Sequence, residues 1–339
     1  MKNQALKKTH ILVTGGAGYI GSHTVRKLIG QKYNVIVIDN LSKGHRTAIL
    51  SPDVTVIIGD INNKNLIETL FSSFSISAVI HFAAFAYVGE SVINPASYYA
   101  NNVAAPLVLL DKMLHHNCKK IVFSSSCATY GNPMYLPIDE KHPQIPISPY
   151  GNTKLTFEKI LLDYGQAYGL QSVILRYFNA CGAAEDGLIG EDHDPETHLI
   201  PLVLKTALGE LDYVRVFGND YTTPDGTCIR DYIHVNDLAC AHIKALDYLI
   251  CGGHTAKINL GSGNGISVNE IIGIAEKITG KQIKRRFEPR RPGDPSSLVA
   301  STILAKAMLN WEPSFSDIDN VIKTAWFWIS GPQKGKCAE

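Results

Sequence analysis

HILVTGGAGYIG, running from His10 to Gly21, decides the fold. A β-branched, apolar run at residues 11–14 enters a glycine-rich turn and leaves it into helical spacing that lasts to about residue 29. Gly15, Gly18 and Gly21 each have a physical reason. The first permits a tight strand-to-helix turn, and the second lets backbone approach a pyrophosphate. The third is expected to let the helix pack close to the sheet. A pyrophosphate then meets the helix N-terminus, where free N–H groups and the dipole favour an anion. Glycines alone are weak evidence; a strand before and a helix after make the pattern specific. The next apolar run, Val35-Ile-Val-Ile, ends at Asp39. A carboxylate placed there can accept both ribose hydroxyls of NAD and would repel the 2′-phosphate of NADP, so NAD is the expected cofactor. The alternative is a structural turn followed by an unrelated acid.

Outward from this turn, short β-branched runs recur at residues 35–39, 54–59, 78–82, 121–124 and 172–176, with helical spacing between them. Most are apolar throughout, as expected of parallel strands covered on both faces. Repeated strand–helix–strand units predict an α/β fold, a doubly wound parallel Rossmann-type sheet. Asp60 closes the third run, where it can reach an adenine amino group or cap the following helix. The fourth run ends in His81-Phe82-Ala83-Ala84, whose small residues let a dinucleotide lie against backbone; His81 itself reads as a structural histidine. After about residue 180 the rhythm changes. Gly, Asp, Pro and His cluster over residues 182–198 as a loop excursion. Strand candidates at 213–217, 229–235 and 258–260 and a helix at 268–279 predict a smaller C-terminal α+β domain. The expected division is 1–180 for the dinucleotide domain and 181–339 for the second, with some later segments returning to the first.

A chain of 339 residues is about two domains long. Its 45% hydrophobic and 19% charged content is that of a globular protein. Lys plus Arg number 32 against 31 acids, for a formal net charge of +1, which argues against a dedicated nucleic-acid binder. No apolar run reaches the roughly 18 residues of a membrane span, and MKNQALKKTH lacks the apolar core and cleavage site of a secretory signal. A cytoplasmic protein with neither membrane nor nucleic-acid partner is expected. Seven cysteines without CxxC spacing read as reduced thiols, and no metal is expected.

Pro149-Tyr150-Gly-Asn-Thr-Lys154 opens a helix-like segment. Tyr150 and Lys154, at i and i+4, project from one helical face. The pair gains meaning from the serine-rich strand before it, Phe123-Ser-Ser-Ser126, since α/β sites gather beyond strand ends. A tyrosine acting as base for an alcohol proton must ionise near neutral pH, well below its ordinary value near 10. Two cations, Lys154 and an oxidised nicotinamide, would favour the phenolate. The hydroxyl of Ser126 is placed to hydrogen-bond to the reacting oxygen. The plain alternative is a surface Tyr and Lys on an amphipathic helix.

Together these motifs resemble the extended short-chain dehydrogenase/reductase family. The match narrows to its UDP-glucose 4-epimerase branch through HFAAFAYVGES (81–91), FSSSCATYG (123–131), SPYGNTK (148–154), LRYFNACGA (175–183), GEDHDPETHLIP (190–201), DGTCIRDYIHV (225–235) and RRPGD (290–294). These blocks span nearly the whole chain, in order. The resemblance implies a tightly held NAD, a nucleotide-sugar substrate bound by the second half, and a homodimer. It implies Tyr150 as the base, Lys154 as its electrostatic partner and Ser126 as the contact to sugar O4. Around the cofactor it implies Gly15, Gly18, Tyr19, Ile20, Gly21, Asp39, Asn40, Asp60, Ile61, Phe82, Ala83, Ala84, Asn101 and Tyr177, together with Tyr150 and Lys154. Around the nucleotide sugar it implies Asn179, His198, Leu199, Phe217, Arg230, Tyr232, Arg290, Asp294 and Leu298, together with Ser126 and Tyr150. Arginines suit a diphosphate, because the guanidinium offers paired donors; Asp294 must instead face the uridine ribose.

The chain departs from the pattern at two positions. Some members carry Lys in place of Ala86 and Asn in place of His198. Leu298 falls where the family makes room for the sugar's C2 substituent. The activity implied is 4-epimerisation of a UDP-hexose through a 4-keto sugar, in galactose metabolism. The alternatives are another UDP-sugar (an N-acetylhexosamine, pentose or uronate) or an NDP-sugar dehydratase or decarboxylase. A dehydratase needs an acid pair after the active-site hydroxyl, whereas Cys127 and Ala128 follow Ser126.

Overall fold

The computed structural model describes residues 9–331 apart from residue 292. In chain order its strands are β1 (His10–Thr14), β2 (Asn34–Asp39), β3 (Thr55–Ile58), β4 (Ile76–His81), β5 (Lys120–Ser124), β6 (Gln171–Tyr177), β7 (Asn179–Cys181), β8 (Val214–Phe217), β9 (Ile229–His234), β10 (Ala256–Leu260), β11 (Gly265–Ser267), β12 (Arg285–Glu288) and β13 (Ser297–Leu298). Seven of them make one parallel sheet in the order β10-β6-β5-β4-β1-β2-β3. The chain starts in the middle of this sheet and winds outward both ways. The switch of direction lies between β1 and β4, the place where α/β sheets put their ligand crevice, beyond the strand C-termini.

Alternation within β1 shows why the sheet is covered on both faces. Ile11 and Val13 join one core, with the helices Tyr19–Gly30 and Val235–Ile250 packed over it. Leu12 joins the other, under the helices Lys64–Ser73, Ala105–His115 and Pro149–Tyr168. Each face of a strand meets its own layer because side chains alternate along it. A third core gathers the helices Leu199–Leu208, Val268–Thr279 and Ile318–Ser330 with residues of β8 and β9. Beside it lie a small sheet of β7, β9, β11 and β13 and the parallel pair β8–β12.

The six predicted strands of the first half are all present, as is the helix at 268–279. The run at 258–260 lies within β10, which pairs in parallel with β6 and closes the edge of the large sheet. A short apolar run shows that a strand forms but not which strand it joins. No helix among the described residues is long and apolar enough to cross a membrane.

Candidate active site

The glycine turn is pressed against the end of β4. Gly15 has φ +69, and a Cβ on it would stand 2.6 Å from the Ala83 nitrogen. The carbonyl of Thr14 accepts N–H bonds from Phe82 at 2.9 Å and Ala83 at 3.1 Å, so small residues follow His81 for steric reasons. Gly18 is the N-cap of the helix Tyr19–Gly30; it brings no capping side chain, and the first turn holds no acid. This half-buried, uncapped N-terminus suits a dinucleotide pyrophosphate. The third glycine acts differently from the expectation. A Cβ on Gly21 would lie 2.2 Å from the Gly15 carbonyl oxygen, so it lets the helix close on the turn itself, not on the sheet.

Asp39 ends β2 directly beside this turn. Its buried carboxylate accepts N–H bonds from Ala17 and Leu41, both at 2.9 Å. Burial raises its pKa and those two bonds oppose the rise. Four lone-pair directions leave two for hydroxyls. Asn40 donates to Asp60 at 3.0 Å, and Asp60 also accepts from the Asn62 nitrogen at 2.7 Å. Asp60 does not cap the next helix; Asn63 does, accepting from Leu66. Tyr19 opens the helix after the glycines and donates to the Gly182 carbonyl at 2.5 Å. Ile20 and Ile61 pack into the cores on opposite faces. Asn101 sits in a π-helical turn and donates to Asn102 at 2.9 Å. His81 is buried against Thr14, with Nδ1 2.6 Å from its hydroxyl; burial lowers its pKa to about 3. It is therefore a neutral structural residue, as expected.

The Tyr–Lys pair enters from the opposite side of the crevice. Ser148 caps the helix Pro149–Tyr168, accepting from Gly151 at 3.1 Å, and Pro149 opens it. Tyr150 and Lys154 are only 7% and 4% exposed. Ser126 lies just beyond β5, its hydroxyl accepting from Ala128 at 3.1 Å and standing beside the Tyr150 phenol. Burial drives the Tyr150 pKa well up, with a further push from Tyr177, and the Ser126 hydroxyl opposes both. The ammonium of Lys154 donates to the Ser124 carbonyl at 2.8 Å and stands 5.8 Å from the Tyr150 ring centroid. Burial lowers its pKa to about 7, against the pull of Glu158. The protein alone thus holds both groups near neutrality; the phenolate needs further positive charge. Tyr177, at the end of β6, touches the Ser124 hydroxyl at 2.6 Å.

The second half supplies the far wall. Arg230 and Leu298 are register neighbours on β9 and β13. Arg230 pairs with the carboxylate of Asp294 and donates to the Pro295 carbonyl at 2.8 Å. Asn179 donates to the Asp231 carbonyl at 2.9 Å, and Tyr232 is buried beside it in register. Leu298 packs against Tyr130, Ile138, Phe178 and Ala300. Arg290 pairs with Asp220 at 2.7 Å and lies over the Tyr221 ring, while Arg291 lies over Phe217 at 3.9 Å. Arg285 and Arg286 likewise pair with Glu276 at 3.5 Å and Glu288 at 3.1 Å. His198 caps the helix that Leu199 opens. Its Nδ1 sits 2.8 Å from Glu191 and 2.9 Å from Glu196.

One buried network was missed from sequence. Glu158 and Arg176, each with a side chain only 1% exposed, form an ion pair at 2.6 Å. Ser125 donates to Glu158 at 2.5 Å and Arg176 to Tyr130 at 2.9 Å. It ties the Tyr150 helix to β6 and to the loop of Ser126. The available signal was a charge inside two apolar runs, Phe157-Glu158 and Leu175-Arg176. Asn102 was also overlooked; it accepts from the Phe85 nitrogen at 2.8 Å and donates to Thr153 at 3.2 Å, fixing the approach beside β4.

Residues 11–261 match the profile of the NAD dependent epimerase/dehydratase family. The chain is 54% identical over 318 residues to a UDP-glucose 4-epimerase of Halalkalibacterium halodurans, covering 94% of this chain and 95% of that one. It is 48% identical to the Lacticaseibacillus casei enzyme of the same name, covering 96% and 98%. Among solved structures, the Brucella ovis UDP-glucose 4-epimerase in complex with NAD superposes with a TM-score of 0.91 at 50% identity, covering 94% of this chain and 97% of that one. The Bifidobacterium longum enzyme in complex with NAD+ and UDP does so with a TM-score of 0.90 at 42% identity, covering 96% and 99%.

Proposed function

The chain belongs to the NAD dependent epimerase/dehydratase family, and from that premise we propose that it interconverts UDP-glucose and UDP-galactose, an isomerase of galactose metabolism with NAD as cofactor. One observation carries this reading. Tyr150, Lys154 and Ser126 converge at the C-terminal ends of the strands, across the crevice from a glycine turn fitted to a pyrophosphate.

Bound NAD supplies reversible hydride transfer at sugar C4. Gly15, Gly18 and the helix that Tyr19 opens would hold its pyrophosphate, and Asp39 would accept its ribose hydroxyls. Tyr150 takes the proton of the C4 hydroxyl as the C4 hydride departs, so a 4-keto sugar results, and gives the proton back when the hydride returns. Ser126 hydrogen-bonds to the same oxygen and sets its direction toward the phenol. Lys154, held on the Ser124 carbonyl, adds the positive charge that favours the phenolate. Arg230 and Arg290 grip the diphosphate, so the keto sugar can turn about that link and present its other face. The short loop after Ser126 carries Cys127 and Ala128 and no carboxylate, which disfavours the elimination of a dehydratase.

Exposed Val92, Ile93, Tyr99 and Leu107 on neighbouring helical segments support a homodimer through this side. A cytoplasmic location accords with the reduced cysteines.

The test is to purify the protein, release and identify its cofactor, and supply UDP-galactose and UDP-N-acetylgalactosamine. UDP-glucose should form with no change of mass, and Tyr150→Phe should lose roughly 10²–10⁴-fold in rate. Near-normal turnover by Tyr150→Phe, loss of water or carbon dioxide from the product, or action on the N-acetylated sugar alone would each overturn the assignment.

A further inference from the structure

A cluster of chemistry-bearing side chains lies in the loop ahead of Leu199. Glu191, His193, Glu196 and His198 alternate along GEDHDPETHLIP, and their side chains converge. Nδ1 of His198 is 2.8 Å from Glu191 Oε1 and 2.9 Å from Glu196 Oε1. Nδ1 of His193 is 3.2 Å from Glu191 Oε1 and 3.7 Å from Glu196 Oε2. A tetrahedral cation with bonds of about 2.0–2.1 Å separates its ligand atoms by about 3.3 Å. The observed separations bracket that edge length. Nδ1 of His193 is shut off from solvent and points into the cluster.

We propose that Glu191, His193, Glu196 and His198 bind a divalent cation, zinc, in a closed four-ligand structural site. The charges balance, since two carboxylates meet one dication and both imidazoles ligate as neutral groups. Two nitrogen donors select against magnesium and calcium, which take oxygen. Four protein ligands leave no open position, so the ion is structural. The second His–Glu group makes the contrast: at Glu68, His115 and His116, the ammonium of Lys112 already stands 3.0 Å from Glu68 and takes the cation's place.

The location gives the site its purpose. The loop crosses the glycine turn of the cofactor half. Tyr19 bonds to Gly182 at the start of the loop and meets the His193 ring edge-on at 6.1 Å. The ammonium of Lys43 reaches the Asp194 carbonyl at 3.3 Å. Zinc would lock this strap in place over the dinucleotide, and would recruit the His198 imidazole as a ligand in place of a direct contact to substrate.

The test uses the NAD-loaded protein, stripped with a chelator and then dialysed against zinc. We expect about one zinc per chain by elemental analysis, a rise in Tm on zinc addition, and slower loss of NAD. Cobalt(II) should give the intense visible absorption of a tetrahedral site. His193→Ala and Glu196→Gln should each lose the metal and the Tm rise, whereas Glu68→Gln should keep both. The wild-type cobalt spectrum stands even where a variant fails to fold. Uptake of zinc far below one per chain, equal uptake by the His193 and Glu196 variants, or a faint octahedral cobalt spectrum would overturn the proposal.

Discussion

Replacing Lys154 by Met should stabilise the cofactor-stripped protein while abolishing turnover. The ammonium is 4% exposed, and burial brings its pKa from 10.5 to about 7. Each pKa unit is about 1.4 kcal/mol, so holding the charged form inside costs on the order of 5 kcal/mol near pH 6. Methionine fills similar space without charge, but it leaves the Ser124 carbonyl, 2.8 Å from Nζ, without its donor. That omission costs about 1–3 kcal/mol. The net gain near pH 6 is then about 2–4 kcal/mol. Its pH dependence has a definite sign. The folded pKa of Lys154 lies below the unfolded value, so between about 7 and 10.5 the unfolded chain binds more protons, and the wild type gains stability as pH rises. The variant lacks this gain, so its advantage is full below about pH 7 and gone near pH 10. Denaturant titration of both proteins at the two extremes measures the difference, because other titrating groups cancel. A variant less stable than wild type near pH 6, or a difference that does not change with pH, refutes the reasoning. A buried cation held at the expense of stability is the trade-off expected of the proposed active site.

Gly21→Ala should strip NAD from the purified protein, because the new Cβ meets the Gly15 carbonyl oxygen at 2.2 Å and must force the turn open; the nucleotide content of the purified variant measures this. Glu158→Gln should destabilise by about 3–5 kcal/mol, since it leaves the Arg176 charge buried and unpaired; thermal melts check it, and the loss should exceed that of Lys306→Gln, whose exposed pair with Glu312 contributes about 0–1 kcal/mol. Arg230→Met should raise KM for the nucleotide sugar more than it lowers kcat if, as proposed, the guanidinium holds the diphosphate, the part of the substrate that does not react; steady-state kinetics with UDP-galactose separate the two.

Much of the dinucleotide half is legible because its signals are local. A glycine with positive φ, a helix begun without a capping side chain, and an acid at the end of the next strand are each written within a few residues. Tyr150 and Lys154 are equally local, one turn apart on a helix that Ser148 and Pro149 begin. The distances that matter chemically are not. That Lys154 points at the Ser124 carbonyl, that Ser126 meets the phenol, and that Asp294 pairs with Arg230 all depend on segments brought together by the sheet. The resemblance to known epimerases supplied those residues in advance without their geometry. The Glu158–Arg176 pair was hidden for the same reason, since its members lie on a helix and a strand whose adjacency no local pattern records.

The sequence by itself determined the parallel α/β architecture, the glycine turn between β1 and its helix, and the placing of Tyr150 and Lys154 one turn apart. Those follow from period, φ preference and spacing, which act over a turn or a strand. Tertiary structure alone decided that β10 closes the large sheet beside β6, that Gly21 clears the turn and not the sheet, and that Asn63, not Asp60, caps its helix. It also decided that four side chains of one loop face a common point. The first is set by packing between distant segments, and the Gly21 clearance, the cap and the cluster by the path the backbone takes through a turn or loop. In neither case does the hydrophobic pattern reveal which groups will meet.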